Sequence, residues 1–383
     1  MKNPLEVCLS VIILIVFGWI SFGFAQEESS EETNLSFSTG ISYDSLQDDL
    51  SPKTSGHEFT IPLTLEYKRK SLSVTIETSY SNADMDFGEE GKASLSGLTD
   101  TTLDAAYEFT TLPVNLTLGV TLNLPTGQAI LDEEESRMEN FLRDNGFKVY
   151  EFGEGLDIGL SLGVRKDFNE TLSGEFQTTY TNCGKQDDFE PGDTIELFTN
   201  LEWKSLSWLK ISPNFTYTYT APDKTNGKKD FQIGEKFEFG CDIAVSLAQT
   251  EILISLIGKM QGKNKEFGNA AEALELNTEN STSNTFKSSL EIFYEFEKFT
   301  LQGLGEWWYY SESDDKDSES GLPTYGKLTR FAFGPGFEYN VNQQISLNGS
   351  AKYVRINEDK NIDIPEDRTY QGINMDFGVT YAF

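Results

Sequence analysis

The final stretch of the sequence carries the feature that most constrains the fold. Between Ile373 and Phe383 the odd-numbered positions are apolar or aromatic, and the even-numbered positions are polar or small. Successive side chains of a β-strand point to opposite faces, so this pattern predicts a strand with one apolar face. A soluble strand on a core can show the same alternation, and the rest of the chain decides between the two interpretations.

The alternation recurs along the whole chain, for example at Phe59–Tyr67, Leu116–Leu124 and Phe237–Leu247. Long polar connections and short turns follow one another between these segments. This arrangement predicts an all-β fold, a transmembrane antiparallel β-barrel of about 16 strands over residues 35–383 in the bacterial outer membrane. Fourteen or eighteen strands remain possible. A large soluble β-sandwich or repeat array is the alternative fold.

Aromatic residues support the membrane interpretation. Tyr43, Tyr80, Trp203 and Tyr339 fall at predicted strand ends, in the phase of the apolar face. Membrane barrels place such aromatic girdles at the two lipid interfaces, whereas a soluble core has no reason to combine that phase with strand ends.

The beginning of the chain predicts targeting. Residues 1–25 contain Lys2, an apolar run from Val11 to Phe17 and a small-residue site ending at Ala25, which together predict a secretory signal peptide. Glu6 offsets the charge of Lys2, so an uncleaved anchor stays open. Residues 26–34 are expected to form an acidic periplasmic leader.

The charge of the chain argues against one class of partner, and the positions of its cysteines argue against a disulfide. The formal net charge is −32, from 62 acidic and 30 basic residues. Such acidity argues against nucleic acid as a partner. Cys183 and Cys241 are the cysteines after residue 25, and the predicted register separates them too far for a disulfide.

The phase opposite the apolar face predicts a polar lumen in which carboxylates outnumber cations. Charge of one sign biases which ions a pore admits, so a cation-preferring lumen is expected. The alternative is that these charges pair across strands and only stabilise the interior. The lumen-lining candidates are Glu66, Glu77, Asp104, Glu108, Glu175, Arg165, Glu196, Lys236, Asp242, Lys287, Glu291, Glu306, Arg330, Glu338 and Lys352.

The longest connection, residues 125–155, contains a segment of helical composition from Asp132 to Asn145. Acidic residues at its start suit a helix N-terminus. A helix over or inside the barrel mouth and a solvated acidic loop are both compatible with the sequence.

The sequence predicts neither an enzyme nor a metal or cofactor site. His57 is the sole histidine, is expected in the first loop and has no Ser-rich or Asp-His constellation near it in sequence. The acidic run Asp132–Glu135 lacks the Asp-x-Asp-x-Asp-Gly spacing of a calcium loop.

Two motifs resemble a known family. Ser96-Gly97-Leu98-Thr99-Asp100-Thr101-Thr102-Leu103 and Leu122-Asn123-Leu124-Pro125-Thr126-Gly127 are similar to strand signatures of the outer-membrane transporters named for the meta-pathway of phenol degradation. Thr99 departs from the family, which usually has glycine there. The resemblance covers about residues 96–127 and implies an outer-membrane transporter of small organic compounds.

These observations predict an outer-membrane channel that passes small solutes through an acidic lumen. Phe198, Phe293 and Trp308 in the lumen phase leave open a transporter of hydrophobic organic compounds, and a closed structural or surface-binding barrel is a further alternative. Expected partners are the lipid bilayer, lipopolysaccharide and the solutes. The terminal strand also resembles the signal read by the barrel-assembly machinery, with Phe377, Val379, Tyr381 and Phe383 as the signal residues.

Overall fold

The computed structural model contains a large barrel and describes most of the chain after residue 32. The predicted signal peptide, residues 1–25, and all but the last two residues of the predicted leader lie outside the described residues. The described residues are 33–49, 53–88, 91–110, 113–128, 131–149, 152–153, 155–185, 189–267, 275–276, 284–312, 323, 326–361 and 366–383.

Sixteen antiparallel strands form the barrel, as the alternation predicts. They are β1 Thr33–Asp48, β2 Ser55–Arg69, β3 Leu72–Asp86, β4 in two segments (Lys92–Leu98 and Thr101–Phe109), β5 Asn115–Leu124, β6 Asp157–Asn169, β7 Leu172–Cys183, β8 Thr194–Leu206, β9 Leu209–Thr220, β10 Lys236–Leu247, β11 Thr250–Gln261, β12 Thr285–Glu295, β13 Phe299–Tyr310, β14 Leu328–Asn340, β15 Ile345–Glu358 and β16 Arg368–Ala382.

The barrel closes where β1 pairs with β16. Phe37 lies opposite Tyr381 and Asp48 lies opposite Tyr370, so the ladder runs along nearly the whole of both strands. Closure leaves no strand edge exposed, which is the condition for a sheet to cross a bilayer. The first strand begins at Thr33, two residues before the predicted start.

The outer face of the barrel is an apolar belt. Leu160, Phe333 and Phe377 are 56%, 60% and 47% exposed, and they belong to the phase that the alternation assigned to lipid. Such exposure of large apolar side chains all round a closed barrel is favourable only where lipid covers them. The protein is therefore a transmembrane β-barrel, and its construction is that of bacterial outer-membrane proteins.

Two parts of the wall differ from the sequence prediction. The stretch after Tyr80 is rich in Asp, Glu and Gly, which predicts a long loop to about Ser96, and this prediction is wrong because Lys92–Leu98 pairs with β3. The strand breaks at Thr99 and Asp100, where the backbone N–H of Thr99 donates to the carbonyl oxygen of Ser79 at 2.8 Å. His57 was expected in the first loop; it lies in β2 opposite Ser45, because β2 already begins at Ser55.

The two ends of the barrel have different connections. One end carries short turns, such as the one at Lys70 and Ser71, and is called the turn end. The other carries the long connections and is called the loop end. Short strand pairs extend three of these connections, with Lys224–Thr225 between Phe189–Glu190 and Lys228–Lys229, and Phe231–Gln232 beside Lys265–Phe267.

Cys183 and Cys241, which are not joined by a disulfide, test this placement. Cys241 lies between Pro213 and Leu256 on the belt face, whereas Cys183 lies opposite Asp157 at the loop end. In the protein without residues 1–25, embedded in vesicles, we expect a charged, water-soluble maleimide to modify Cys183 and spare Cys241, because lipid excludes the charged reagent.

The variant Cys183→Ser isolates the second thiol for the control. It should react with a lipid-soluble maleimide and with the charged reagent only after the barrel is unfolded. Rapid modification of Cys241 by the charged reagent in the folded protein would contradict the assigned outer face.

Candidate functional site in the barrel lumen

A helix, α1 (Glu133–Asn145), forms in the longest connection, which settles the alternatives that the sequence left open there. Asp132 caps it by accepting the backbone N–H of Glu135 at 2.8 Å, and the Glu135 carboxylate accepts the backbone N–H of Asp132 at 3.0 Å. This capping box fixes the start of the helix. Gly146 ends it in the left-handed conformation, at φ +71°. No helix among the described residues is long and apolar enough to cross a membrane.

The connection that carries α1, residues 125–156, is called the insert, and it lies inside the barrel. Its buried side chains form one cluster with residues of β1, β3, β4, β14, β15 and β16, six strands spread over nearly half the circumference. A helix is about 10 Å wide and neighbouring strands are about 4.8 Å apart, so a helix on the outside could touch only two or three strands. Contact with so many strands is possible only from within.

The contact between the insert and the wall is apolar and tightly closed. Met138 and Leu142 of α1 are fully buried, as are Phe152 of the insert and Ile356 of β15. Sequence reasoning missed this cluster, because its wall residues are isolated apolar positions in the lumen phase near strand ends. The wall members are Leu46, Ala83, Met85, Ala93, Leu95, Ala332, Val354, Ile356 and Tyr370.

A buried carboxylate binds the backbone of the insert. Glu58 of β2 is 0% exposed, and its Oε2 accepts the backbone N–H groups of Lys148 and Val149 at 3.1 and 3.2 Å. Its other oxygen, Oε1, accepts the hydroxyl of Ser81 at 2.7 Å. Carboxylates that accept several hydrogen bonds bind strongly, so Glu58 fixes the segment that follows α1 to the wall.

The insert also reaches towards the middle of the barrel. The Lys148 ammonium forms an ion pair of 2.8 Å with Asp376, near the centre of β16. Asp376 in turn accepts the hydroxyls of Ser42 and Ser350, at 2.7 and 3.2 Å. The insert therefore extends from the loop end at least as far as the middle of β16.

A second carboxylate holds both ends of the insert. Asp100, at the break in β4, accepts the backbone N–H of Gly127 at 2.9 Å and the backbone N–H of Gly155 at 3.0 Å. Asn123 donates its side-chain N–H to the same carboxylate at 2.9 Å. The break in the strand therefore has a structural purpose, because it turns Asp100 towards the place where the insert leaves and rejoins the wall.

The two sequence motifs meet at this point. The hydroxyl of Thr126 donates to the carbonyl oxygen of Thr99 at 2.9 Å and lies 2.8 Å from the hydroxyl of Thr101. A Cβ atom on Gly127 would lie 1.7 Å from the carbonyl oxygen of Phe152, so only glycine fits there. The motifs thus form one joint between β4, β5 and the insert.

The residues that contact the insert lie on the inner face of the barrel. The strand register places every lumen candidate on this same face. Several of them, including Glu66, Glu77, Glu196 and Asp242, are exposed there, so the inner face is accessible to solvent at these positions. Their role in solute passage stays a prediction. The candidates on this face are Glu66, Glu77, Asp104, Glu108, Arg165, Glu175, Glu196, Lys236, Asp242, Lys287, Glu291, Glu306, Arg330, Glu338 and Lys352.

Many lumen cations are neutralised locally. Glu306 accepts Arg330 at 2.8 Å and Lys352 at 2.6 Å, and Glu238 pairs with Lys259 at 2.5 Å. Such pairing across neighbouring strands stabilises the wall and removes part of the charge from the lumen. The alternative that the sequence left open therefore holds for these residues.

Six carboxylates of β2 to β8 contrast with these pairs. Glu66 accepts the hydroxyl of Ser36 at 3.2 Å, and Asp104 accepts the hydroxyl of Thr121 at 2.5 Å. Both donors are neutral, so the negative charge remains. Among the described residues, no ion pair involves Glu66, Glu77, Asp104, Glu108, Glu175 or Glu196.

Beneath the C-terminal end of α1, an aromatic ring lies between two cations. The Lys287 ammonium lies 3.9 Å and the Arg330 guanidinium 4.1 Å from the centre of the Trp308 ring. Gly146 contacts the same ring so closely that a Cβ atom there would lie 2.5 Å from Cζ3. Trp308, predicted as part of an apolar path, is instead a cation-binding surface against which the insert packs.

Cavities extend along the lumen beside the insert. One of about 520 Å³ lies at the loop end and is lined by Glu196 and Lys236, and one of about 430 Å³ lies at the turn end beside Glu202 and Lys204. A third, of about 170 Å³, surrounds Lys148. Within the described part of the chain, no group of three or more histidine, cysteine or carboxylate side chains could hold a metal ion.

Comparison with known proteins finds similar solved structures. A bacterial polysaccharide outer-membrane secretin is 10% identical, with a TM-score of 0.46 over 93% of this chain and 100% of that chain. Pseudomonas aeruginosa OccK7 (OpdD) is 9% identical, with a TM-score of 0.46 over 92% of this chain and 99% of that chain. A BenF-like porin from Pseudomonas fluorescens Pf-5 is 9% identical, with a TM-score of 0.46 over 92% and 98%.

These likenesses are too distant to carry an argument about function. No protein-family model matches the chain, and no curated protein matches it. The resemblance of residues 96–127 to the phenol-pathway transporters therefore stays a prediction.

Replacing Asp100 tests the joint that holds the insert. Asp100→Ala removes the acceptor of three hydrogen bonds, each worth about 1.5 to 3 kcal/mol because the acceptor is charged. We expect the insert to detach more often and trypsin to cleave after Arg137 or Arg143 at least tenfold faster, while the heat-modifiable barrel persists on a gel.

The matched control is Asp104→Asn, on the same strand but bonded only within the wall. It should leave the cleavage rate of the insert unchanged. Equal acceleration in both variants would show that a looser barrel, rather than a released insert, exposes the cleavage sites.

Proposed function

We propose that the protein is an outer-membrane channel through which small polar solutes diffuse down their gradient, with a preference for cations. The observation that carries the proposal is the combination of a laterally closed barrel with water-exposed carboxylates on its inner face. Burying ionised carboxylates without a partner is unfavourable in free energy, so their presence on the inner face implies that water or ions solvate them. The loop end is proposed to face the outside of the cell.

Unpaired charge gives the proposed selectivity. In a 16-stranded barrel, strands eight positions apart are diametrically opposite, so Glu77 of β3 faces the side of Lys259, and Asp104 of β4 faces the side of Lys287. Lys259 lies near a carboxylate and Lys287 near an aromatic ring, whereas Glu66, Glu77, Asp104, Glu108, Glu175 and Glu196 have no cationic partner among the described residues. The excess of negative charge raises the local concentration of cations and repels anions.

The insert is proposed to set the width of the channel. It occupies the half of the mouth formed by β13 to β16 and β1 to β4, and it leaves the cavities on the other side open. Its anchors, Glu58 and Asp100, act on backbone N–H groups, so the insert is fixed independently of most of its side chains.

A closed structural barrel is the second candidate. The apolar packing of α1 against the wall favours it, because so tight a contact resists movement. The same packing counts against transport of hydrophobic compounds, since the apolar wall residues at the loop end are covered by the insert. The resemblance to transporters of small organic compounds supports the channel rather than the closed barrel.

Assembly and lipid contacts complete the proposal. Phe377, Val379 and Tyr381 lie on the outer face of β16, and the backbone N–H of Phe383 donates to the carbonyl oxygen of Leu35 at 2.8 Å. We propose that these outward residues are the signal recognised by the barrel-assembly machinery. We also propose that the acidic loop end contacts lipopolysaccharide through bridging divalent cations.

The reversal potential of single channels tests the selectivity. Under a potassium chloride gradient across a planar bilayer, the protein should show stable conductance steps and a cation-selective reversal potential. Glu66→Gln combined with Glu77→Gln should lower the permeability ratio of potassium to chloride by roughly two- to fivefold, since each removes an unpaired lumen charge.

The matched control combines Glu366→Gln with Asp230→Asn, two exposed residues in loop-end connections. It changes the net charge equally and should leave the permeability ratio unchanged. A folded, heat-modifiable barrel that never conducts would overturn the channel and favour the closed barrel.

A further inference from the structure

The largest lumen cavity described above has a composition that suggests its ligand. It lies at the loop end, between β8 and β12, on the part of the mouth that the insert leaves open. Its volume of about 520 Å³ is within the range of about 300 to 1,000 Å³ typical of small-molecule sites and exceeds what a bare ion needs.

Four charged residues line the cavity, and two of them neutralise each other. Glu238 and Lys259 form an ion pair of 2.5 Å. Glu196 and Lys236, in contrast, form no ion pair with any residue that the structure describes. The cavity therefore offers one carboxylate and one ammonium group, both exposed and both available to a ligand.

The register sets the distance between these two charges. Glu196 lies opposite Thr218 on one side, and Lys236 lies opposite Thr218 on the other. They are thus two strands apart, about 10 Å between their backbones. Both side chains are long and point to the same face, so a ligand smaller than a dipeptide can contact both ends at once.

Neutral polar groups line the cavity around the two charges, and Thr216 and Thr218 of β9 lie between them. The hydroxyls of Thr216, Thr218 and Thr285 and the amide of Gln261 line the same cavity. They can donate to or accept from a solute in several orientations, which suits a family of related solutes rather than one compound.

We propose that this cavity is an entrance subsite for small zwitterionic solutes, with the solute ammonium at Glu196 and the solute carboxylate at Lys236. The inference rests on the proposed channel and names a solute class for it. A ligand with both charges replaces water at both side chains, whereas a singly charged ligand satisfies only one of them.

Three probes of similar size separate the two contacts. They are L-alanine, which carries both charges, L-alaninamide, which carries the ammonium alone, and N-acetyl-L-alanine, which carries the carboxylate alone. Affinity is measured for the full mature protein in two ways, by interruption of the single-channel potassium current and by saturation-transfer NMR in detergent micelles.

We expect L-alanine to bind more tightly than either singly charged probe. Glu196→Gln should weaken L-alanine and L-alaninamide by roughly two- to fivefold and spare N-acetyl-L-alanine. Lys236→Gln should weaken L-alanine and N-acetyl-L-alanine by a similar factor and spare L-alaninamide. The controls Glu366→Gln and Lys228→Gln make the same charge changes at exposed positions outside the cavity and should change no affinity.

The two measurements separate failure of the subsite from failure of the channel. Steady conductance with no preference for L-alanine, or with equal effects of the cavity variants and the controls, overturns the subsite and leaves the channel standing. Binding of L-alanine with the expected variant pattern but no conductance overturns the channel and assigns the cavity to a closed, ligand-binding barrel.

Discussion

The structure depends on one requirement, which is that every backbone N–H and C=O group inside a bilayer must find a partner within the protein. The pairing of β1 with β16 meets it, because it turns sixteen strands into a sheet without an edge. Closure then fixes the rest. One phase of each strand must be apolar because it faces lipid, and the other encloses a space that can be polar. An inner surface rich in charge is therefore compatible with an apolar outer belt in the same strands.

The insert meets the same requirement in a different way. Where α1 ends, the backbone N–H groups of Lys148 and Val149 lie inside the barrel without a strand to pair with, and Glu58 accepts both. At the base of the insert Asp100 does the same for Gly127 and Gly155. Carboxylates on the inner wall thus fall into two groups. Glu58 and Asp100 satisfy the backbone of the insert, whereas Glu66, Glu77, Asp104, Glu108, Glu175 and Glu196 form no ion pair among the described residues.

The barrel could be predicted from the sequence because alternation with a period of two is repeated in every strand, and the number of strands follows by counting. The register of the lumen residues followed from the same phase. The joint at Thr99 and Asp100 could not be predicted, since the inward phase shifts there by one residue, from Ala93 and Leu95 to Thr102 and Asp104, and no regular alternation spans the break. The packing of Met138 and Leu142 against Ile356 also escaped prediction, because the wall contributes only scattered apolar residues, each weak as a signal. Contacts between residues distant in sequence carry no periodic pattern.

The joint at Asp100 holds the two ends of the insert together. Gly127 and Gly155, near its two ends, are held by the same carboxylate, so the ends stay in place whatever the length of the segment between them. Lengthening a loop whose ends stay fixed costs little free energy, about 0.6 kcal/mol for each doubling. Insertions, deletions or whole replacements within residues 128–154 can therefore alter the width and chemistry of the mouth while the wall stays the same. In evolution, or in the laboratory, the barrel can serve as a constant frame for an exchangeable filter.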